Sequence, residues 1–177
     1  MPMIPFEEVV RFHGHVCPGV AIGYRMALAG LAALKEMRAE DEELVAIVEN
    51  DACGVDALQF LTGCTFGKGN LIFHDYGKSV YTLYSRKTGQ GVRITSRADA
   101  IPAEIGDDRA ARIDWILTAP EDALLNLKTV AIDEPPKARI HDSISCDRCG
   151  ERVMATRIRQ SGERRLCIPC WDQEHGS

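Results

Sequence analysis

Two groups of metal-capable side chains lie far apart in the sequence. In CDRCGERVMATRIRQSGERRLCIPC, Cys146, Cys149, Cys167 and Cys170 form two C-x2-C pairs. Each pair can present two thiolates to one ion, and four thiolates in a tetrahedral set suit zinc in a closed, structural site. Gly150 follows the first pair, and the strand-like run Val153–Arg159 with the Ser161-Gly162 turn would fold the pairs together as a hairpin. A segment this small has too little core to fold without its metal. The spacing therefore predicts a zinc ribbon with zinc as its cofactor. The second group begins in FHGHVCPG, where His13, His15 and Cys17 alternate. Imidazole with thiolate suits zinc, copper or iron better than magnesium.

His15 and Cys17 are the expected ligands of a second transition metal in the core, zinc among the options. His13 is either a third ligand or a base. Cys53, in DACGVD, and Cys64, in TGCTFGKGN, compete for the remaining position. With fewer than four strong ligands the site would leave room for substrate. Asp56 and Gln59 share one face of the short helix that Cys53 precedes, Asp56 as a proton acceptor and Gln59 as a cofactor-binding group. Lys68 offers a positive charge to an anionic ligand, although TFGKGN lacks the Walker A spacing. His13, Asp56 and Lys68 are thus the catalytic candidates. The rival reading is a metal-free Cys17 thiolate activated by a helix N-terminus. Taken singly, a core cysteine is a small hydrophobe and a histidine beside a helix end is a cap.

Those residues need elements to place them. A short amphipathic helix is expected from Pro5 to Phe12, and a long helix from Pro18 to Met37, with proline near its first turn. Apolar residues run nearly all round the second helix, which makes it the central core helix. Gly23 and Gly30 on one of its faces leave room for close approach. After an acidic loop at Glu40–Glu43, Leu44–Glu49 reads as a strand and Val55–Thr62 as a helix. NLIFHD, SVYTLYS and GVRITS follow as an antiparallel meander. Asp107–Leu117 and Glu121–Leu127 return to helical periodicity, TVAI is a final strand, and Glu134-Pro135-Pro136 is a stiff linker. Strands grouped between helices predict an α+β core, an antiparallel sheet packed with helices, over residues 1–136, and the four-cysteine zinc ribbon over 137–177.

The chain has 177 residues, 45% apolar and 27% charged, with a net charge of −5. That composition fits one soluble domain with a small appendage. Seven cysteines and no secretory signal in MPMIPFEEVV point to the cytoplasm. No run suits a bilayer, so no membrane partner is expected. The acidic core disfavours nucleic acid, whereas residues 138–170 hold seven arginines against four acids and leave a protein or nucleic-acid contact open. A homodimer is expected from Trp115, Ile116, Leu117, Leu124, Leu125 and Leu127, read as apolar surface beside the linker.

FHGHVCPGVAIGYRMA, DACGVDALQFLTGCTFGKGNLIFHDYGK and GVRI together resemble the FmdE family, named for the E-type subunit of formylmethanofuran dehydrogenase, over nearly the whole chain. The resemblance implies an α+β core with a zinc-finger appendage, often dimeric, and a polar cleft lined by the His/Cys segments. It carries over His13, His15, Cys17, Cys53, Asp56, Gln59, Cys64 and Lys68. The family takes its name from association with a molybdenum or tungsten enzyme that reduces carbon dioxide onto methanofuran, although members also stand alone. This chain has no pterin or iron–sulfur signature of its own. The resemblance implies a metal-binding accessory subunit or metal-dependent enzyme, with oxidoreductase subunits as partners and a small-molecule ligand. A metal-handling protein and a zinc-ribbon adaptor are the alternatives.

Overall fold

The computed structural model describes residues 4–176; the first three residues and the last lie outside them. The chain divides into two compact units between Ala138 and Arg139, just after the Pro-Pro linker. The first unit runs α1 (Phe6–His13), α2 (Pro18–Leu34), β1 (Leu44–Val48), α3 (Gly54–Thr62), β2 (Leu71–Phe73), β3 (Val80–Ser85), β4 (Gln90–Ser96), α4 (Arg109–Thr118), α5 (Glu121–Leu124) and β5 (Leu125–Val130). It is an α+β domain with one five-stranded sheet in the order β2-β1-β3-β4-β5.

The central helix is α2, as its apolar circumference predicts. Val20, Ala21, Met26 and Ala27 are fully buried among Leu58, Leu83 and Ile94. It ends at Leu34, short of Met37, because Lys35 takes a left-handed conformation and its N–H returns to Ala32 O. Gly23 and Gly30 admit close neighbours. A Cβ on Gly23 would lie 2.4 Å from Gly54 Cα, and one on Gly30 would lie 2.7 Å from Leu83 Cδ1. The N-terminus of α3 is therefore seated directly against the first turns of α2.

In the sheet, the structure corrects two expectations. The expected meander does not begin at β2, which pairs in parallel with β1, Ala46 opposite Leu71. Strand β1 then pairs antiparallel with β3, separating β2 from it. A parallel neighbour requires a crossover, and α3 supplies it; strand composition alone carries no neighbour order. Helical periodicity also fails after Leu124. Leu125-Asn-Leu-Lys-Thr-Val alternates apolar and polar with period 2 and forms β5, with Leu127 opposite Ile94. The expected strand at TVAI is only the tail of β5.

The second unit has the architecture of a small zinc ribbon. Two hairpins, β6 (Ser143–Ser145) with β7 (Arg152–Met154) and β8 (Ile158–Ser161) with β9 (Arg164–Cys167), precede α6 (Ile168–His175). Val153–Arg159 is not one strand, because a 3-10 turn at Ala155–Arg157 assigns its ends to different hairpins. The small core gathers Leu166, Cys146, Cys167 and Cys170 with Val153 and Trp171.

Candidate metal centres

The core cluster forms where three helix ends meet. Gly14, at φ 97°, stops α1 immediately after His13 and turns the chain. The stretch His13–Cys17 is thus not extended, yet its donors converge. Cys17 caps α2, and its Sγ accepts the Val20 N–H at 3.4 Å. This contact fixes the sulfur at the head of the helix. Cys53 precedes α3 and meets Cys17 because Gly19 lies between them, a Cβ there standing 3.3 Å from Cys53 Cβ. One donor atom from each of His13, His15, Cys17 and Cys53 lies within 4.8 Å of the others.

His13 is oriented by α3. Its Nδ1 lies 2.7 Å from Asp56 Oδ2, and Gln59 Nε2 lies 3.5 Å from the other carboxylate oxygen. His13 Nε2 is then left buried with no hydrogen-bond partner. Buried polar atoms without partners are costly. A carboxylate on one imidazole nitrogen with the other turned inward is the arrangement that orients a metal-ligating histidine. The donor set fits a transition metal. Burial first, and then the Cys17 thiol beside it, push the Cys53 thiol above its ordinary value, an effect that a bound cation would reverse.

Other candidates fall elsewhere. Cys64 is no competitor for this site: it is fully buried, its Sγ donates to Leu44 O at 3.3 Å, and burial pushes it up to about 11. The Lys68 ammonium donates to the carbonyls of Glu40 and Asp41, at 3.4 and 3.2 Å, rather than facing the cluster. Gln59 supports Asp56 and does not line the adjoining cleft. The apolar residues behind the dimer expectation cover their own domain. Ile116, Leu124 and Leu125 are buried, and Trp115, Leu117 and Leu127 pack against the same core. Trp115 Nε1 also donates to Ala100 O at 2.8 Å. Within the ribbon most arginines are engaged: Arg164 with Glu174, Arg165 with Asp147, Arg148 with Cys170 O and Arg152 with Ser143 O.

The cluster opens onto a cleft of about 350 Å³ lined by His13, Cys53 and Asp56 together with Asp51, Phe66 and Phe73. The last three escape sequence reasoning. Asp51 lies within DACGVD, but nothing in its spacing separates it from an ordinary loop acid. Tyr81 escapes it as well. Its hydroxyl stands 2.5 Å from where a Gly54 Cβ would be, and burial, then the charges of Cys53 and Asp56, push the phenol up.

In the ribbon, Cys146, Cys149, Cys167 and Cys170 converge within the same 4.8 Å limit. Gly150, at φ 77°, closes the first knuckle, its N–H donating to Cys146 O at 2.9 Å. Cys149 and Cys167 sulfurs stand 3.9 Å apart. Backbone N–H groups, that of Cys149 foremost, hold the Cys146 thiol down at about 6. A hydrogen bond with the Cys167 thiol, then burial and the neighbouring Cys149 and Cys146 thiols, push the Cys170 thiol up to about 12.

Fold and clusters define an α+β domain with a His/Cys donor site, followed by a four-cysteine ribbon. The family profile described as FmdE, molybdenum formylmethanofuran dehydrogenase operon, matches residues 12–126, and the chain belongs to the FmdE family. A crystal structure of a tungsten formylmethanofuran dehydrogenase FmdE-like protein from Syntrophus aciditrophicus is similar over 97% of this chain and 92% of that one, with a TM-score of 0.73 and 27% identity. A probable S-adenosyl-L-methionine-binding protein of Archaeoglobus fulgidus is 31% identical over 189 aligned positions, 90% of this chain. The chain spans about half the length, 50%, of that relative. No helix among the described residues is long and apolar enough to cross a membrane.

Proposed function

We propose that the FmdE domain holds a transition metal, zinc foremost, at His13, His15, Cys17 and Cys53, and that the ribbon holds a structural zinc. The observation carrying the core site is His13: its Nδ1 is fixed by Asp56 while its buried Nε2 lacks a partner. Cys17, fixed at the head of α2, supplies a sulfur donor, and Asp56 holds the imidazole in one tautomer. A bound ion supplies Lewis acidity at the mouth of the cleft. His15 is exposed, unlike buried Cys17, and is the donor best placed to yield its position to a small molecule. His13 serves as a ligand rather than a base, because its Nδ1 already engages Asp56 and its Nε2 is buried.

On this reading the protein is a metal-dependent accessory subunit or enzyme linked to a molybdenum or tungsten oxidoreductase and one-carbon chemistry. Family membership and the open core cluster support it. Metal delivery and a ribbon-borne adaptor role remain the rivals; the engaged ribbon arginines count against the second. Purification of tagged protein from its native cells tests the assignment. A large oxidoreductase retained at stoichiometric level supports it, whereas a lone chain with a freely exchanging core metal favours delivery. A homodimer and a cytoplasmic location are part of the same proposal, and light scattering tests the first. The Archaeoglobus fulgidus relative's name adds S-adenosyl-L-methionine as a candidate occupant of the cleft, decided by equilibrium dialysis.

A further inference from the structure

The cleft beside the core cluster has a selective chemistry of its own. Among the described residues its carboxylates are Asp51 and Asp56, and neither lysine nor arginine lines it. The neighbouring cations are turned elsewhere: Lys68 to backbone carbonyls and Lys78 over the Tyr76 ring. Filling the cluster does not reverse this sign, since a divalent ion on two thiolates adds no net charge over two thiols. Much of the remaining lining is apolar, with Val48, Val55, Leu71, Phe66 and Phe73.

Two of those rings are left uncovered, Phe66 at 77% and Phe73 at 43% exposure. Phe66 is nevertheless held in place. The fully buried Asn70 accepts the Thr65 N–H at 2.9 Å and donates to Asp41 O and Leu44 O at 3.1 and 3.0 Å. Gly69, at φ 78°, returns its N–H to Phe66 O at 3.1 Å. A fixed loop that presents a bare ring gives up apolar burial without gaining mobility. Aromatic faces attract cations, and about 350 Å³ falls within the range of about 300–1,000 Å³ for small-molecule sites.

We infer that this cleft binds a small organic cation with an aromatic or flat apolar part, Phe66 and Phe73 taking the apolar part and Asp51 setting the charge preference. The inference deepens the reading of the cleft as a ligand site, but it needs neither the metal nor a particular compound. The test uses full-length protein in zinc-loaded and chelator-dialysed forms, titrated by NMR with benzyltrimethylammonium, benzyl alcohol and benzoate. The quaternary ammonium cannot ligate a metal, so its binding is independent of the metal assignment. The cation binds in both forms, about tenfold more tightly than benzoate, given attraction to a carboxylate and two rings. Phe66→Ala weakens it about fivefold, and Asp51→Asn narrows the cation's margin over the alcohol. Both side chains are exposed, so neither change threatens the fold. Benzoate binding the metal-free protein as well as the cation does would overturn the proposal. So would absence of binding by all three probes, or a Phe66→Ala effect confined to self-association in light scattering.

Discussion

The core cluster, with two histidines and two cysteines, and the four-cysteine ribbon set their donors in opposite surroundings. In the ribbon the cysteines themselves make up much of the hydrophobic core, with only Leu166, Val153 and Trp171 beside them. Beyond these, a few surface ion pairs and hydrogen bonds such as Arg164 with Glu174 link the two hairpins and the helix. In the FmdE domain the donors sit on the ends of α1, α2 and α3, whose packing is fixed by a large apolar core and by the Gly23–Gly54 approach. On the proposed reading that cluster is held by packing that does not depend on an ion. Metal would then be a condition of folding in the ribbon and a guest at the edge of a cleft in the core.

The largest expected effect follows directly. Replacing Cys146, Cys149, Cys167 and Cys170 by serine removes a metal contribution on the order of 10 kcal/mol and unfolds residues beyond Ala138. Hydrogen exchange of the FmdE domain stays unchanged. Equal loss of protection in both units would erase the contrast.

Gly23→Ala is the counterpart within the core. Its Cβ would meet Gly54 Cα at 2.4 Å, backbone against backbone, and overpacking of that kind costs about 1–3 kcal/mol. Thermal unfolding of the core shifts down, and its metal affinity falls because Cys53 moves away from Cys17, while the ribbon's metal is retained. Asp56→Asn sharpens the comparison further. It leaves packing and an acceptor beside His13 in place but removes the negative charge that raises the ring's basicity, and lowers core metal affinity about 10-fold or more in a competition titration that leaves ribbon affinity untouched.

A smaller effect separates Cys64 from both clusters. Burial raises its folded pKa from 9.0 to about 11. Between those values the unfolded chain gives up this proton and the folded chain keeps it, so stability falls as pH rises through that window. The melting temperature of Cys64→Ala should lose that part of its alkaline slope, and metal stoichiometry should not change.

What is legible in the sequence is local. C-x2-C spacing places the ribbon donors, and the helix starts after Cys17 and Cys53 are visible from Pro18 and the apolar runs. The HGHVC pattern contains His13, His15 and Cys17, three of the four donors that converge in the core cluster. The choice between Cys53 and Cys64 is not readable, because both flank α3 and only the packing of its first turn against α2 brings one of them in. Neighbour order in the sheet is hidden for a similar reason: β2 has strand composition whichever partner it takes. Leu125 and Leu127 pass for dimer-facing helix because a short apolar run fits either period. The cleft wall is invisible, since exposed Phe66 reads in sequence as an ordinary loop phenylalanine.

The central claim is that one chain carries two separate metal sites, and metal counting tests it most directly. Metal-free protein reloaded with excess zinc and gel-filtered should hold two ions per chain by elemental analysis. Cys17→Ser should hold only the ribbon ion, and the variant with all four ribbon cysteines replaced should hold only the core ion. Wild-type protein that never exceeds one ion per chain, with Cys17→Ser retaining the same amount, would contradict the account.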